Sequence, residues 1–107
     1  FDCVTPTRHG RNAQAFTSRG RINLRNGRWK GCDEVLDPNC MSPALEGFSI
    51  GVLSHLCRAN EMLGGMLVTL HNLYFFHQLM ERMRGAIQDG NLAALRTKVL
   101  SECEGRA

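Results

Sequence analysis

Asp2 lies in a short apolar run, Phe1-Asp2-Cys3-Val4, just ahead of an arginine-rich stretch, Arg8-His9-Gly10-Arg11-Asn12. A carboxylate at the C-terminal end of a strand, beside a cationic loop, is where barrel and open-sheet enzymes put a nucleophile or general base. In that arrangement Asp2 attacks an electrophilic carbon while Arg8 and Arg11 hold phosphates on the same rim. An aspartate at a chain start is more often a solvated or capping residue, so residue types alone do not select the catalytic reading. Five cysteines (Cys3, Cys32, Cys40, Cys57 and Cys103) are odd in number and form no C-x-x-C pair. They read as reduced thiols of a cytoplasmic protein, most of them small buried hydrophobes, rather than as a disulfide framework. His55 and His77 sit in helical stretches without a ligand-spaced partner and read as exposed or core-edge histidines. Trp29, between Arg28 and Lys30, either stacks on a nucleobase or packs on a hairpin.

These groups need elements to place them. Phe1 to Val4 reads as a strand that leaves into a loop at Thr5-Pro6-Thr7, with Arg8 to Asn12 continuing as polar loop. Apolar character then alternates through Ala13-Gln14-Ala15-Phe16-Thr17 and Arg21-Ile22-Asn23-Leu24-Arg25 around Ser18-Arg19-Gly20, which predicts a hairpin. Asn26-Gly27 ends it, and Gly31 to Pro43 is irregular. From Ser49, an N-cap candidate, Ile50, Leu53, Leu56 and Cys57 recur at helical spacing as far as Gly64-Gly65. A second helical stripe runs from Met66 through Leu67, Leu70, Leu73, Phe76, His77, Met80 and Met83 to Ile87, stopping at Asp89-Gly90. Met62, Met66, Met80 and Met83 are expected in its core. Leu92, Leu95, Val99 and Leu100 predict a short last helix.

The charge is unevenly placed. Residues 1–30 carry seven basic side chains against Asp2 alone, whereas the chain as a whole has a net charge of +3, so the remainder is mildly acidic. An arginine-dominated first third points to a phosphate-rich partner, or else to a solvated basic hairpin. A content of 43% hydrophobic and 21% charged residues excludes disordered and fibrous classes. The longest apolar stretch, Met62 to Phe76, is interrupted by Gly64, Gly65, His71 and Asn72, which excludes a transmembrane helix. Because the first residue is Phe1 rather than Met and no leader-like pattern is seen, the chain is expected to be a fragment.

The block Phe-Asp-Cys-Val-Thr-Pro-Thr-Arg-His-Gly-Arg-Asn at residues 1–12 resembles the signature of tRNA-guanine transglycosylase, also called queuine tRNA-ribosyltransferase. Ile22 to Asn26, Val35-Leu36-Asp37, Cys40, Ser49, Asn60 to Gly64 and Thr69-Leu70-His71-Asn72-Leu73 continue the resemblance in order. It implies an α/β fold, the C-terminal fragment of a (β/α)₈ TIM barrel: last strand, β-hairpin insertion and closing helices. The fragment alone reads as α+β, mostly helical after residue 48. Residues 1–107 would be the C-terminal part of a single TIM-barrel domain, with a degenerate zinc-subdomain-like hairpin and loop at 13–48 and a helical part at 49–100. The implied activity is exchange of the wobble guanine of tRNA anticodons for a 7-deazaguanine base, in queuosine biosynthesis, through a covalent aspartyl-ribose intermediate. Asp2 matches the nucleophile, whose negative charge also suits an oxocarbenium-like transition state. Thr7, Arg8, His9, Gly10 and Arg11 match the loop that recognises the tRNA, with Gly10 allowing close backbone approach. The second acid and the base pocket lie upstream, so this fragment by itself is not expected to be active.

The sequence departs from the pattern at the metal site. The family ligates zinc with C-x-C-x-x-C and a later histidine, and Cys40 and His71 match the first and last of these ligands. Ser42 and Leu45 stand at the other two, so zinc is doubtful here, and the apolar neighbours Met41, Leu45 and Phe48 would take over its stabilising role by packing. The resemblance further implies tRNA with guanine at the wobble position as substrate, a 7-deazaguanine as the incoming base, a homodimer formed around the insertion, and a cytoplasmic setting. The competing reading is a noncatalytic tRNA-binding paralogue or partner subunit.

Overall fold

Proline costs no hydrogen bond in the first turn of a helix, and that decides how the chain opens. The computed structural model describes residues 3–104, without the side chains of 102–104; Asp2 lies outside the described residues. Thr5–Arg11 forms a helix, α1, with Pro6 in its first turn. The expected departure of a strand into a loop at Thr5, and the polar loop from Arg8, are therefore corrected. Pro6 lacks an N–H that would have had no partner there, and its fixed φ suits the first turn of a helix. Cys3 and Val4 are not in a strand; Val4 accepts the helix's first bond through its carbonyl, from Arg8 N at 2.8 Å.

The hairpin forms as the alternation predicts. Strands β1 (Gln14–Thr17) and β2 (Gly20–Asn23) pair antiparallel, Gln14 opposite Asn23 and Thr17 opposite Gly20. Gly20, with φ +106°, supplies the backbone angle that the tight turn needs. Thr17 Oγ1 closes the turn by donating to Gly20 O at 2.7 Å and accepting from Arg19 N at 3.3 Å. Ala15 and Ile22 face inward as a pair, and Leu24 beyond β2 is fully buried. The segment from Gly27 to Phe48 is irregular apart from two 3₁₀ turns, Gly27–Trp29 and Pro43–Leu45.

Three helices follow: α2 (Ile50–Arg58), α3 (Met62–Gln88) and α4 (Leu92–Glu104). Ser49 caps α2 by accepting from Val52 N at 3.3 Å. The break between α2 and α3 falls at Asn60, with φ +58°, and not at Gly64-Gly65. Those glycines lie in the first turn of α3, where their missing side chains matter more than their helix propensity. A Cβ on Gly64 would come within 3.0 Å of Cys57 N and 3.1 Å of the Leu56 carbonyl carbon, so glycine is what lets α3 pack on α2.

The core joins hairpin and helices: Ala13, Ala15, Ile22, Leu24 and Leu36 meet Ile50, Leu53, Cys57, Leu67 and Val68. Ser54, fully buried, donates to Leu24 O at 2.6 Å and ties α2 to the hairpin. The expected methionine core of α3 is corrected. Met62 and Met66 are 80% and 54% exposed, and Leu70 and Leu73 follow them on the same exposed side. A helix buries only the stripe that has something to pack on, and Leu67, Val68, His71 and Asn72 face the hairpin instead. Among the described cysteines only Cys57 is buried; Cys3 is exposed and Cys32 and Cys40 are half-buried, which corrects the expectation that most are buried. The observed architecture is a small mixed α/β arrangement, a two-stranded antiparallel sheet laid against helices.

Candidate functional site

Arginine side chains on the first helix and the hairpin are held apart from the core by the packing just described. Arg8 and Arg11 are exposed on α1, and Thr7 and Arg11 border a cleft of about 580 Å³. Its far walls are Arg25 and Asn60, joined by a 3.1 Å hydrogen bond from Arg25 Nη1 to Asn60 Oδ1, and the exposed apolar residues Met62, Met66 and Leu70 of α3. The arginine on the rim suits a phosphate, and the apolar floor is a side of α3 that no described residue covers.

The other two residues of the expected tRNA-contact set have structural work. His9 Nδ1 lies 2.9 Å from Thr5 O, its Nε2 lies 3.2 Å from Arg21 Nη1, and its ring sits edge-on to Phe16 at 5.3 Å. Since Nδ1 donates to a carbonyl, Nε2 is the acceptor for the arginine in the neutral ring. Gly10 does permit a close backbone approach, and within the described residues that approach is to α3. A Cβ at this position would lie 2.4 Å from Thr69 Oγ1 and 2.7 Å from Thr69 Cα.

His71 and Asn72 fasten α3 to the hairpin, and both are fully buried. Asn72 Oδ1 accepts from Phe16 N at 2.9 Å, while its Nδ2 donates to Gln14 O at 2.9 Å and to Pro6 O at 3.1 Å. One amide thus joins α1, β1 and α3. His71 Nε2 lies 2.8 Å from Phe16 O; because a carbonyl only accepts, this nitrogen carries the proton and Nδ1 keeps a lone pair with no hydrogen-bond partner. Burial pushes the pKa of His71 down, against smaller upward effects of the Phe16 hydrogen bond and of Asp37. Sequence reading gave Asn72 no role. The signal for one was a polar His-Asn pair inside an otherwise apolar helical run.

The loop before α2 turns on Asp37, which is 2% exposed. Its Oδ2 accepts from Ser18 N at 2.7 Å, and its Oδ1 accepts from Ser18 Oγ at 2.9 Å and Asn39 N at 3.0 Å. Burial, and then the nearby Asp37 carboxylate, push the Cys40 thiol up, with Arg82 acting the other way. The zinc-ligand expectation meets mixed chemistry here. The lone pair on His71 Nδ1 is a donor with nothing to bind, yet Leu45 has no donor atom and Ser42 offers only a hydroxyl. Among the described residues no group of three or more His, Cys, Asp or Glu side chains is placed to hold a metal ion. These residues do not fit a four-ligand zinc site.

The outer face of the hairpin adds residues that sequence reading did not assign. Arg19, Arg21, Asn23, Asn26 and Arg28 line a groove of about 390 Å³ beside Trp29 and Glu34. The strand alternation that buries Ile22 and Leu24 would have placed Arg21 and Asn23 together on this side. Trp29 packs on the hairpin: its Nε1 donates to Asn23 O at 3.1 Å and the Arg28 guanidinium lies 4.5 Å from its ring centroid. His55 and His77 are exposed, and no described helix is long and apolar enough to cross a membrane.

Comparison with known proteins bears on this arrangement directly. The chain is 52% identical over 97 residues to the queuine tRNA-ribosyltransferase of Sphingopyxis alaskensis, an alignment covering 91% of this chain and 26% of that protein. The enzyme of that name from Clostridium perfringens is 43% identical over all 107 residues, 28% of its length, and that from Novosphingobium aromaticivorans is 51% identical over 94 residues, covering 88% of this chain and 25% of that protein. The chain therefore spans about a quarter of the length of the curated relatives it matches. The family described as queuine tRNA-ribosyltransferase matches residues 1–105, across α1, the hairpin, the Asp37 loop and all three later helices, and this chain belongs to that family.

Proposed function

We propose that the protein carrying this chain exchanges the wobble guanine of a tRNA anticodon for a 7-deazaguanine base. The observation that carries this reading is the family match over residues 1–105, which includes Asp2 and the arginine-bearing stretch behind it. In the proposed reaction a carboxylate oxygen of Asp2 bonds to the ribose anomeric carbon as the bond to guanine breaks. Guanine leaves with the electron pair and takes up a proton. The incoming base then attacks the same carbon through its ring nitrogen, loses a proton and displaces the carboxylate, so both bonds and charge balance. Arg8 and Arg11 are the residues of the first block whose side chains reach solvent on α1, and we assign them to phosphates or base edges of the tRNA. Thr7 borders the same cleft as Arg11, whereas His9 and Gly10 support the site by fixing α1 against the hairpin and α3.

The chain is assigned to the C-terminal part of a (β/α)₈ barrel, with residues 13–48 as its insertion and 49–100 as closing helices. The exposed Met62, Met66, Leu70 and Leu73 support this, because the remaining three quarters of the protein would cover them. The second acid, the base pocket and any homodimer contact belong to that larger assembly, in a cytoplasmic protein. The test is incorporation of radiolabelled guanine into cognate tRNA by the full-length protein and by its Asp2→Asn variant. Incorporation that vanishes in the variant supports the exchange reaction with Asp2 as nucleophile. Tight tRNA binding with no exchange by either protein moves the assignment to a noncatalytic tRNA-binding subunit.

A further inference from the structure

We propose that the loop from Asp37 to Phe48 is closed without zinc, with the Asp37 carboxylate as its anchor and Leu45 as its apolar plug. A structural zinc ion gathers side chains from separate segments and fixes them at one point. Asp37 does this with hydrogen bonds. It draws in the hairpin turn through Ser18 N and Ser18 Oγ at 2.7 and 2.9 Å, and the loop itself through Asn39 N at 3.0 Å. The ring is closed by Asn39 Nδ2, which donates to Ser18 Oγ at 3.2 Å, and by Cys40 N, which donates to Asp37 O at 3.1 Å. A buried carboxylate with three donors is stable where it sits, because each donor offsets part of its desolvation.

The remainder of the loop is apolar where a metal site is polar. Leu45, in the 3₁₀ turn Pro43–Leu45, packs with Phe48 against the core cluster that contains Leu36 and Ile50. Ser42 is 6% exposed and also turned inward. Two donors of the family's four are thus replaced by a hydroxyl that is buried and a hydrocarbon that is half-buried against the core. Cys40 and His71 remain, and two ligands do not complete a tetrahedral site. The inference is independent of the proposed base exchange, since it concerns how the loop is held and not what the protein does to tRNA.

The test is zinc content by elemental analysis of the full-length protein purified with zinc in the medium, together with thermal melting with and without 1,10-phenanthroline. Three forms are compared: the natural sequence, Cys40→Ser, and the double variant Ser42→Cys with Leu45→Cys. The expected result is equal zinc content in the natural protein and in Cys40→Ser, with a chelator shift below about 1 °C in both. The double variant, with four donors restored, is expected to gain about one zinc per chain and to become chelator-sensitive. About one zinc per chain that is present in the natural protein and lost in Cys40→Ser would overturn the proposal. So would a double variant that folds but gains no zinc, because Ser42 and Leu45 would then not be what removed the metal. Asp37→Asn supplies a second readout: a lowered melting temperature that neither zinc nor chelator changes supports the anchor, and an unchanged one refutes it.

Discussion

The hairpin with its following loop, residues 13–48, and the helical part from residue 49 onward are held by different means. In the first, Ile22, Leu24, Leu36, Leu45 and Phe48 pack in or against the core, and polar point contacts fix the closure: Asp37 to Ser18 and Asn39, Asn72 and His71 to β1, Ser54 to Leu24. In the second, the helices satisfy their own backbone, and what they bury combines apolar contact with the hydrogen-bonded side chains of Ser54, His71 and Asn72. There α3 buries the side that meets the hairpin and leaves Met62, Met66, Leu70 and Leu73 exposed. The loop-rich region is thus specified by polar geometry and is sensitive to single atoms, as are the helix residues that reach it, while the exposed side of α3 tolerates change and gains definition from whatever covers it.

That contrast can be broken experimentally. Asn72→Ala would remove three hydrogen bonds at once and leave Phe16 N, Gln14 O and Pro6 O without their partner, so a loss of about 3 kcal/mol is expected in denaturant unfolding. A loss below about 1 kcal/mol would show that the helical face, and not polar geometry, holds the hairpin. Gly10→Ala comes next, at about 2 kcal/mol, since a methyl group would press on the backbone of Thr69, which has no flexible end to yield. Melting of this variant at an undiminished temperature would mean that α1 can slide along α3.

His71 gives a pH-dependent form of the test. Its folded-state pKa is lowered from 6.5, so the unfolded chain binds more protons as pH falls through and below that value. Stability from this group is therefore complete above about pH 6.5 and is lost on acidification, with a slope of at most about 1.4 kcal/mol per pH unit. His71→Gln should flatten the difference in unfolding free energy between pH 7 and pH 5; an unchanged slope would assign the acid sensitivity to other groups. The smallest effect is expected on the exposed helical face, where Met66→Gln should change the stability of this chain by less than about 0.5 kcal/mol. The same substitution in the full-length protein should cost more than about 1 kcal/mol if the remaining chain packs there.

Much of this was legible in the residues. The hairpin followed from its alternation and turn, the Ser49 cap from its hydroxyl, the Gly90 stop from glycine's freedom at positive φ, and family membership from a long first block. The start of α1 was not, because Pro6 bars a helix interior but suits a first turn, and local sequence does not say which applies. The Gly64-Gly65 pair was read as a helix end for a related reason: a glycine marks either a stop or a close contact, and only the neighbour Cys57 decides.

By itself the sequence determined the short-range features: which residues alternate, which cap a helix, and which chemical groups are present or, as at Ser42 and Leu45, missing. Tertiary structure decided which of those groups meet. Asp37 reaches a serine 19 positions earlier and Asn72 reaches β1 56 positions earlier, contacts that no local spacing encodes. The physical reason is that backbone propensity and side-chain chemistry act over a few residues, whereas burial depends on what the folded chain places opposite each face.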